Sequence, residues 1–181
     1  MGRGALTRTT LALFALAPAT LGAQSLEVAP FVGYRIGDVV SAPTAGIVLD
    51  VPLWPGFQVE GLFSHQPNGS HAAVDHWQAG ALQEYGTGAA RPFLTGVLGL
   101  TRFATGGDQE FRFATGAGGG VKLFPSRHAG IRLDGRVFAT FLDAETIGGV
   151  CGGRGCIVGL HLDIAWQLEF TAAMIVRFGP G

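Results

Sequence analysis

Ser64 and His65 are adjacent, and His71, Asp75 and His76 follow within a dozen residues, so one short stretch holds a nucleophile, three imidazoles and a carboxylate. In a chain that meets lipid, such a set could hydrolyse an ester at the membrane surface, with the serine attacking while a histidine takes its proton. That chemistry needs both side chains on one side. Neighbours along a strand point to opposite faces, and the register set out below turns Ser64 inward and His65 outward. The same histidines with Asp75 are also metal-ligand types, although loop histidines are more often solvated than ligating. His128 falls in a turn and His161 near the start of the last strand, with no chemistry attached to either. The expectation is an uncatalytic chain without metal or cofactor.

Cys151 and Cys156 bracket Gly152-Gly153-Arg154-Gly155, a stretch free enough to bring two sulfurs together. A local disulfide is expected in an oxidising compartment. Closing so short a loop removes only about 2 kcal/mol of chain entropy, so it would shape a loop rather than hold the fold. The alternatives are free thiols or a metal site, and the latter needs more ligands than His161 supplies.

Export is indicated by the amino terminus. Residues 1–23 carry Arg3 and Arg8, an apolar run from Leu11 to Ala17, and Leu21-Gly22-Ala23 before Gln24. This is the pattern of a secretory signal peptide cut after Ala23, with an uncut anchor as the alternative, disfavoured by the short core and Pro18. The domain that remains, residues 24–181, has ten basic and thirteen acidic residues.

Those side chains need a frame, and composition narrows it. Glycine takes 30 of 181 residues, against a usual roughly 7%, and each one inside a helix costs about 1 kcal/mol relative to alanine. Long helices are therefore disfavoured. Mean hydropathy is +0.35 with 14% charged residues, yet past residue 26 no run approaches the ~20 apolar residues of a membrane helix. The near-neutral balance lacks the basic excess of a nucleic-acid binder.

From residue 25 the chain divides into eight segments of period two, the signature of a transmembrane β-barrel. Leu26, Val28, Pro30, Val32, Tyr34 and Ile36 share one face of the first, and Glu27, Ala29, Phe31, Gly33 and Arg35 the other. Asp50 on the second, Gln58, Glu60 and Ser64 on the third, and His76, Gln78 and Glu84 on the fourth lie opposite apolar partners, with Gln83 breaking the apolar face. The fifth, Arg91 to Phe103, is apolar on both sides and has no assignable inside. Arg112 and Lys122 mark the inner face of the sixth, Arg132, Asp134 and Arg136 that of the seventh, and Glu169 and Arg177 that of the eighth.

Within the seven assigned strands every charge falls on the polar face: Glu27, Arg35, Asp50, Glu60, Glu84, Arg112, Lys122, Arg132, Asp134, Arg136, Glu169 and Arg177, six acids and six bases. A water-soluble barrel would invert this pattern. A charge turned to lipid at mid-bilayer costs about 2 to 4 kcal/mol, which explains the avoidance. Gly116, Gly118 and Gly120 would clear room inside for the arginines of the seventh strand. With both chain ends in the periplasm, the turns at 54–56, 86–90 and 125–130 are periplasmic. The longest connections, at 66–75 and 143–161, are external loops.

Three stretches carry a likeness to a known family: Arg91-Pro92-Phe93-Leu94-Thr95-Gly96-Val97-Leu98-Gly99-Leu100; Gly118-Gly119-Gly120-Val121-Lys122-Leu123-Phe124 with Gly130-Ile131-Arg132-Leu133-Asp134-Gly135-Arg136; and the closing Val176-Arg177-Phe178. The chain resembles the small eight-stranded outer-membrane β-barrels of Gram-negative bacteria, the outer membrane protein A barrel and the outer membrane protein X group. The resemblance implies an all-β, eight-stranded antiparallel up-and-down transmembrane barrel at the cell outer membrane. It also implies a terminal aromatic, here Phe178, read by the barrel-assembly machinery, although Gly179-Pro180-Gly181 follow it. Family members are structural, adhesive or pore-associated, and one branch modifies lipid.

An eight-stranded lumen is only wide enough for side chains, so six acids and six bases would plug it with ion pairs. The expected role is structural or interactive, with outer-membrane lipid, the assembly machinery and a surface ligand held by the external loops as partners. A narrow passage for small or apolar molecules is the alternative.

Overall fold

The computed structural model describes residues 25–38, 41–68, 72–105, 107–152 and 155–179. The expected signal peptide lies outside them. The chain forms β1 (Leu26–Gly37), β2 (Ala42–Trp54), β3 (Phe57–Asn68), β4 (Ala72–Glu84), β5 (Ala90–Thr105), β6 (Asp108–Leu123), β7 (Ala129–Gly152) and β8 (Gly155–Phe178). Each strand pairs antiparallel with the next, and β1 pairs with β8 to close the barrel. Closure leaves no sheet edge within the wall, which a membrane interior demands of backbone hydrogen bonds.

Alternation sorts the side chains as period two requires. Glu27, Ala29, Phe31, Val48, Asp50, Glu60, Lys122, Arg132 and Arg136 are buried inside, while Val32, Leu94, Leu98, Phe111, Phe170 and Met174 stand exposed on the outer wall. The outward residues of β7 run apolar from Ile131 to Phe141, ten steps of about 3.3 Å. A strand tilt of about 40° foreshortens them to about 25 Å, the height of a membrane-spanning apolar band. Exposed aromatics rim it, with Trp54, Tyr85 and Phe178 at the end bearing the termini and Trp77, Phe113 and Trp166 towards the distal end. The chain is a transmembrane barrel.

β5, which periodicity left unassigned, acquires a clear inside. Phe93, Thr95, Val97 and Thr101 are buried in the lumen and Leu94, Leu98 and Leu100 face out. Past Arg91 its inner face carries no charge, and Phe93 lies instead against cations, with the Arg132 guanidinium 4.4 Å from the ring centroid. Leu82 is likewise wholly buried inside, so the inner face of β4 is mixed rather than polar.

The three turns at the terminal end fall where expected. Gly56, at φ +78°, closes the β2–β3 turn, a backbone conformation that favours glycine. The distal end departs from expectation. The stretches expected as long loops at 66–75 and 143–161 are mostly strand, for β3 and β4 pair out to Asn68↔Ala72 and β7 and β8 out to Gly152↔Gly155. The β7–β8 ladder shifts register at Phe141/Asp143 and again at Ile147/Gly149, and a strand beyond the bilayer needs no apolar face to mark it. Cys151 stands opposite Cys156 in that ladder, and the side chains of both lie outside the described residues.

The inner glycines of β6 make room for β7. A Cβ added at Gly118 would meet Arg136 Cγ at 2.7 Å, whereas one at the outward Gly96 would meet nothing within 4 Å. Gly118→Val is therefore expected to cost about 1–3 kcal/mol through overpacking. Gly96→Val should leave the urea unfolding midpoint of the barrel in lipid vesicles unchanged, and equal midpoints for the two variants would contradict this account of the lumen.

Candidate functional site

The lumen is the site with the densest chemistry. Its centre is Glu60 on β3, which accepts hydrogen bonds from Arg136 Nη1 and Nη2 at 2.7 and 3.0 Å and from Arg132 Nη2 at 2.6 Å, with Thr95 Oγ1 donating at 3.0 Å. Arg132 and Arg136 lie four residues apart on β7, so alternation aims both inward. Asp134 stands between them and bonds Arg132 Nε at 2.8 Å and Arg136 Nη2 at 3.0 Å, while Thr171 donates to its other oxygen at 2.6 Å. Arg132 Nη1 reaches Asp50 on β2 at 2.9 Å.

Lys122 continues the network towards the terminal end. Its ammonium lies 2.7 Å from Glu27, 2.8 Å from Asp50 and 2.9 Å from Glu84, and donates to Gln58 Oε1 at 2.7 Å. Arg177 bonds Glu27 from Nε at 3.0 Å and Nη2 at 2.5 Å. Phe124 closes this mouth with one guanidinium on it from each of Arg177 and Arg91, 4.2 and 4.8 Å from the ring centroid. All eight strands contribute a member, so the network ties the whole wall together.

A second inner layer lies towards the distal end. Arg35 donates to Glu169 from Nε at 2.8 Å and Nη2 at 2.5 Å, to Ser64 Oγ, and to Gln66 Oε1 at 3.4 Å. Phe138, wholly buried, carries the Arg35 guanidinium at 5.6 Å and the His76 ring at 4.8 Å. His76 lies 2.9 Å from Gln167 Oε1 through Nε2, and Nδ1 is 3.2 Å from Gln78 Nε2 and 3.3 Å from Thr101 Oγ1. These partners match a neutral ring with its hydrogen on Nε2.

Of the twelve charges placed on the inner face by sequence, the structure pairs eleven within the lumen: Glu27, Arg35, Asp50, Glu60, Glu84, Lys122, Arg132, Asp134, Arg136, Glu169 and Arg177. Arg112 pairs with Glu110 at the distal rim, with 29% of its side chain exposed. It lies beyond the last β6–β7 ladder pair, Ala114↔Thr140. Arg91, 3.5 Å from Glu84, joins at the other mouth. It was missed because the two-sided apolarity of β5 hid the direction of its first residues.

The hydrolase and metal candidates separate. Ser64 points into the lumen and is held by Arg35, whereas His65 faces out, its Nδ1 2.6 Å from Asp75 Oδ1. Asp75 also accepts from Arg102 Nε at 2.8 Å and from Nη2. His76 lies on the opposite face from Asp75, and His71 is outside the described residues. Among the described residues no group of three or more metal-ligand side chains converges.

No protein-family model matches the sequence, and no characterised protein matches it by sequence. Solved structures do match in shape. Neisserial surface protein A is 16% identical, with TM-score 0.59 over 86% of this chain and 97% of that one. Outer membrane protein H of P. aeruginosa, solved in micelles, is 14% identical, with TM-score 0.56 over 85% and 99%. Ail, the attachment invasion locus protein of Yersinia pestis, crystallised with the heparin analogue sucrose octasulfate, is 10% identical, with TM-score 0.51 over 86% and 99%. The fold is that of the small eight-stranded outer-membrane barrels.

Truncating Arg132 leaves Glu60, Asp50 and Asp134 each short of a buried partner. Arg132→Ala should therefore destabilise the vesicle-embedded barrel by about 3–5 kcal/mol. Arg91→Ala, which removes a longer and partly exposed pair, should cost under about 1 kcal/mol. Urea titrations followed by tryptophan emission would compare the two, and similar losses would contradict the central role of the Arg132 cluster.

Proposed function

We propose that this chain is an integral outer-membrane barrel with a structural and surface-interaction role and no catalysis. Its lumen is closed by paired charges, and its distal hairpin presents it to the exterior. The observation that carries this reading is the lumen itself. An eight-stranded barrel has no space beyond its own side chains, and here Glu60, Arg132, Arg136 and Lys122 fill the centre with 2% exposure or less. An aqueous path would require breaking several buried pairs at once.

The surface role is supported by the distal end. β7 pairs with β6 only as far as Thr140, and β8 with β1 only from Gln167 onward, while the β7–β8 ladder continues to Gly152↔Gly155. That hairpin stands clear with two backbone edges outside the barrel ladder, a shape suited to contact with another macromolecule. In this reading a Cys151–Cys156 disulfide caps it, cleavage after Ala23 precedes insertion, and the terminal end faces the periplasm. Phe178, 55% exposed at the end of β8, is the aromatic offered to the assembly machinery.

Planar-bilayer recordings of refolded protein should show no discrete openings, and regular conductance steps would instead favour the narrow passage. Mass analysis of protein recovered from outer membranes should give a chain beginning at Gln24 and lighter by two hydrogens than its reduced form. An intact residue 1–23 segment or a reduced pair would overturn those parts of the reading.

A further inference from the structure

The outer wall is not uniform. Across β2, β3, β4 and β5 it recedes into an apolar groove of about 510 Å³ lined by Leu49, Gly61, Phe63, Trp77, Leu98 and Leu100. Gly61 faces outward, and a Cβ there would come no closer than 4.0 Å to any neighbour. The groove is therefore a gap left by missing side chains.

Two residues beyond Phe63, Trp77 and Leu100 on the same strands stand His65, Asp75 and Arg102, which pair side by side in register. They are charged or polar residues on the outer face, at the distal limit of the apolar band. The Asp75 side chain is only 2% exposed and grips both neighbours, whereas His65 and Arg102 are 48% and 32% exposed. With Nδ1 engaged by Asp75, the half-exposed ring of His65 has Nε2 left for an outside partner. Arg102 keeps outward N–H groups, one of them only 3.4 Å from Gln109 Oε1. The covered carboxylate offers nothing to a cationic head. The exposed groups suit an anion's oxygens beside a hydroxyl.

We propose that this groove and row form a specific site for one lipid whose head carries a phosphate next to a hydroxyl. An acyl chain lies along Gly61 between Leu49, Trp77 and Leu98, phosphate oxygens accept from Arg102, and the hydroxyl shares a hydrogen bond with His65 Nε2. The site requires only that the barrel spans a membrane, so its failure is separable from failure of that premise, which heat-modifiable gel mobility reports.

Trp77 lines the groove and is a built-in probe once Trp54→Phe and Trp166→Phe remove the other two tryptophans. In phosphatidylcholine vesicles containing brominated phosphatidylglycerol or brominated phosphatidylcholine, Trp77 should be quenched with at least about threefold preference for phosphatidylglycerol. Arg102→Ala should abolish the preference, and Gly61→Leu, which fills the groove, should reduce quenching by both lipids. Equal quenching in the parent, or a preference unchanged by Arg102→Ala, would overturn the site. Native mass spectrometry of the unsubstituted protein, extracted from vesicles with equal amounts of the two lipids, gives a second measurement. One retained phosphatidylglycerol, lost in Arg102→Ala, is expected, and retention of neither or of both alike would overturn the proposal.

Discussion

Everything in this barrel depends on keeping charge inside a wall that faces lipid. A carboxylate such as Glu60, wholly buried, gives up its hydration, and the loss is offset only if its lone pairs are met by well-placed donors. Two guanidiniums and the Thr95 hydroxyl meet them here. That requirement fixes the register of β3 against β7 across the lumen, and through Asp50, Asp134 and Lys122 it extends to the other strands. A slip of one residue in any strand would turn its charge to lipid and its apolar neighbour inward. The network is thus worth more as a specifier of register than as a source of stability.

Because the interior is self-neutralised, the chain's remaining acids gather elsewhere. Asp38, Asp75, Asp108, Glu110, Asp143, Glu145 and Asp163 all belong to the distal ends of strands or the turn beyond, against the described cations Arg102 and Arg112. The terminal end holds Arg127 in its last turn. The slight acidity of the whole domain is therefore a property of one end, the end that carries the protruding hairpin.

Period two with charge on one face is enough to identify the strands, the inward direction of seven of them and eleven of the charges that pair within the lumen, though not which pairs with which, because the penalty for misplacing a charge in lipid is steep. Where that penalty vanishes the pattern loses its meaning. β5 has no inner charge past Arg91 to orient it, since Phe93 stacks on cations in the middle of the lumen. The β7–β8 extension lies outside the apolar band, so nothing distinguished strand from loop there. Arg102 is invisible to the pattern for the same reason, for it sits with Asp75 on the outer face where lipid gives way to headgroups. The pairing of His65 with Asp75 becomes visible only once the β3–β4 ladder is seen to run past them.

The distal limit of the membrane can be placed by three independent constraints. Backbone groups facing hydrocarbon must be paired, so the wall can part only beyond it. β6 and β7 part after Ala114↔Thr140. Charged side chains avoid the hydrocarbon, and the first of them on the outer face are Asp75 and Arg102, with His65 beside them. Aromatic rings favour the interface, and Phe63 and Trp77, with centroids 4.3 Å apart, and Phe113 and Phe141, 5.7 Å apart, lie at the same level of the register. Backbone pairing, charge and aromatic placement agree to within one row of residues.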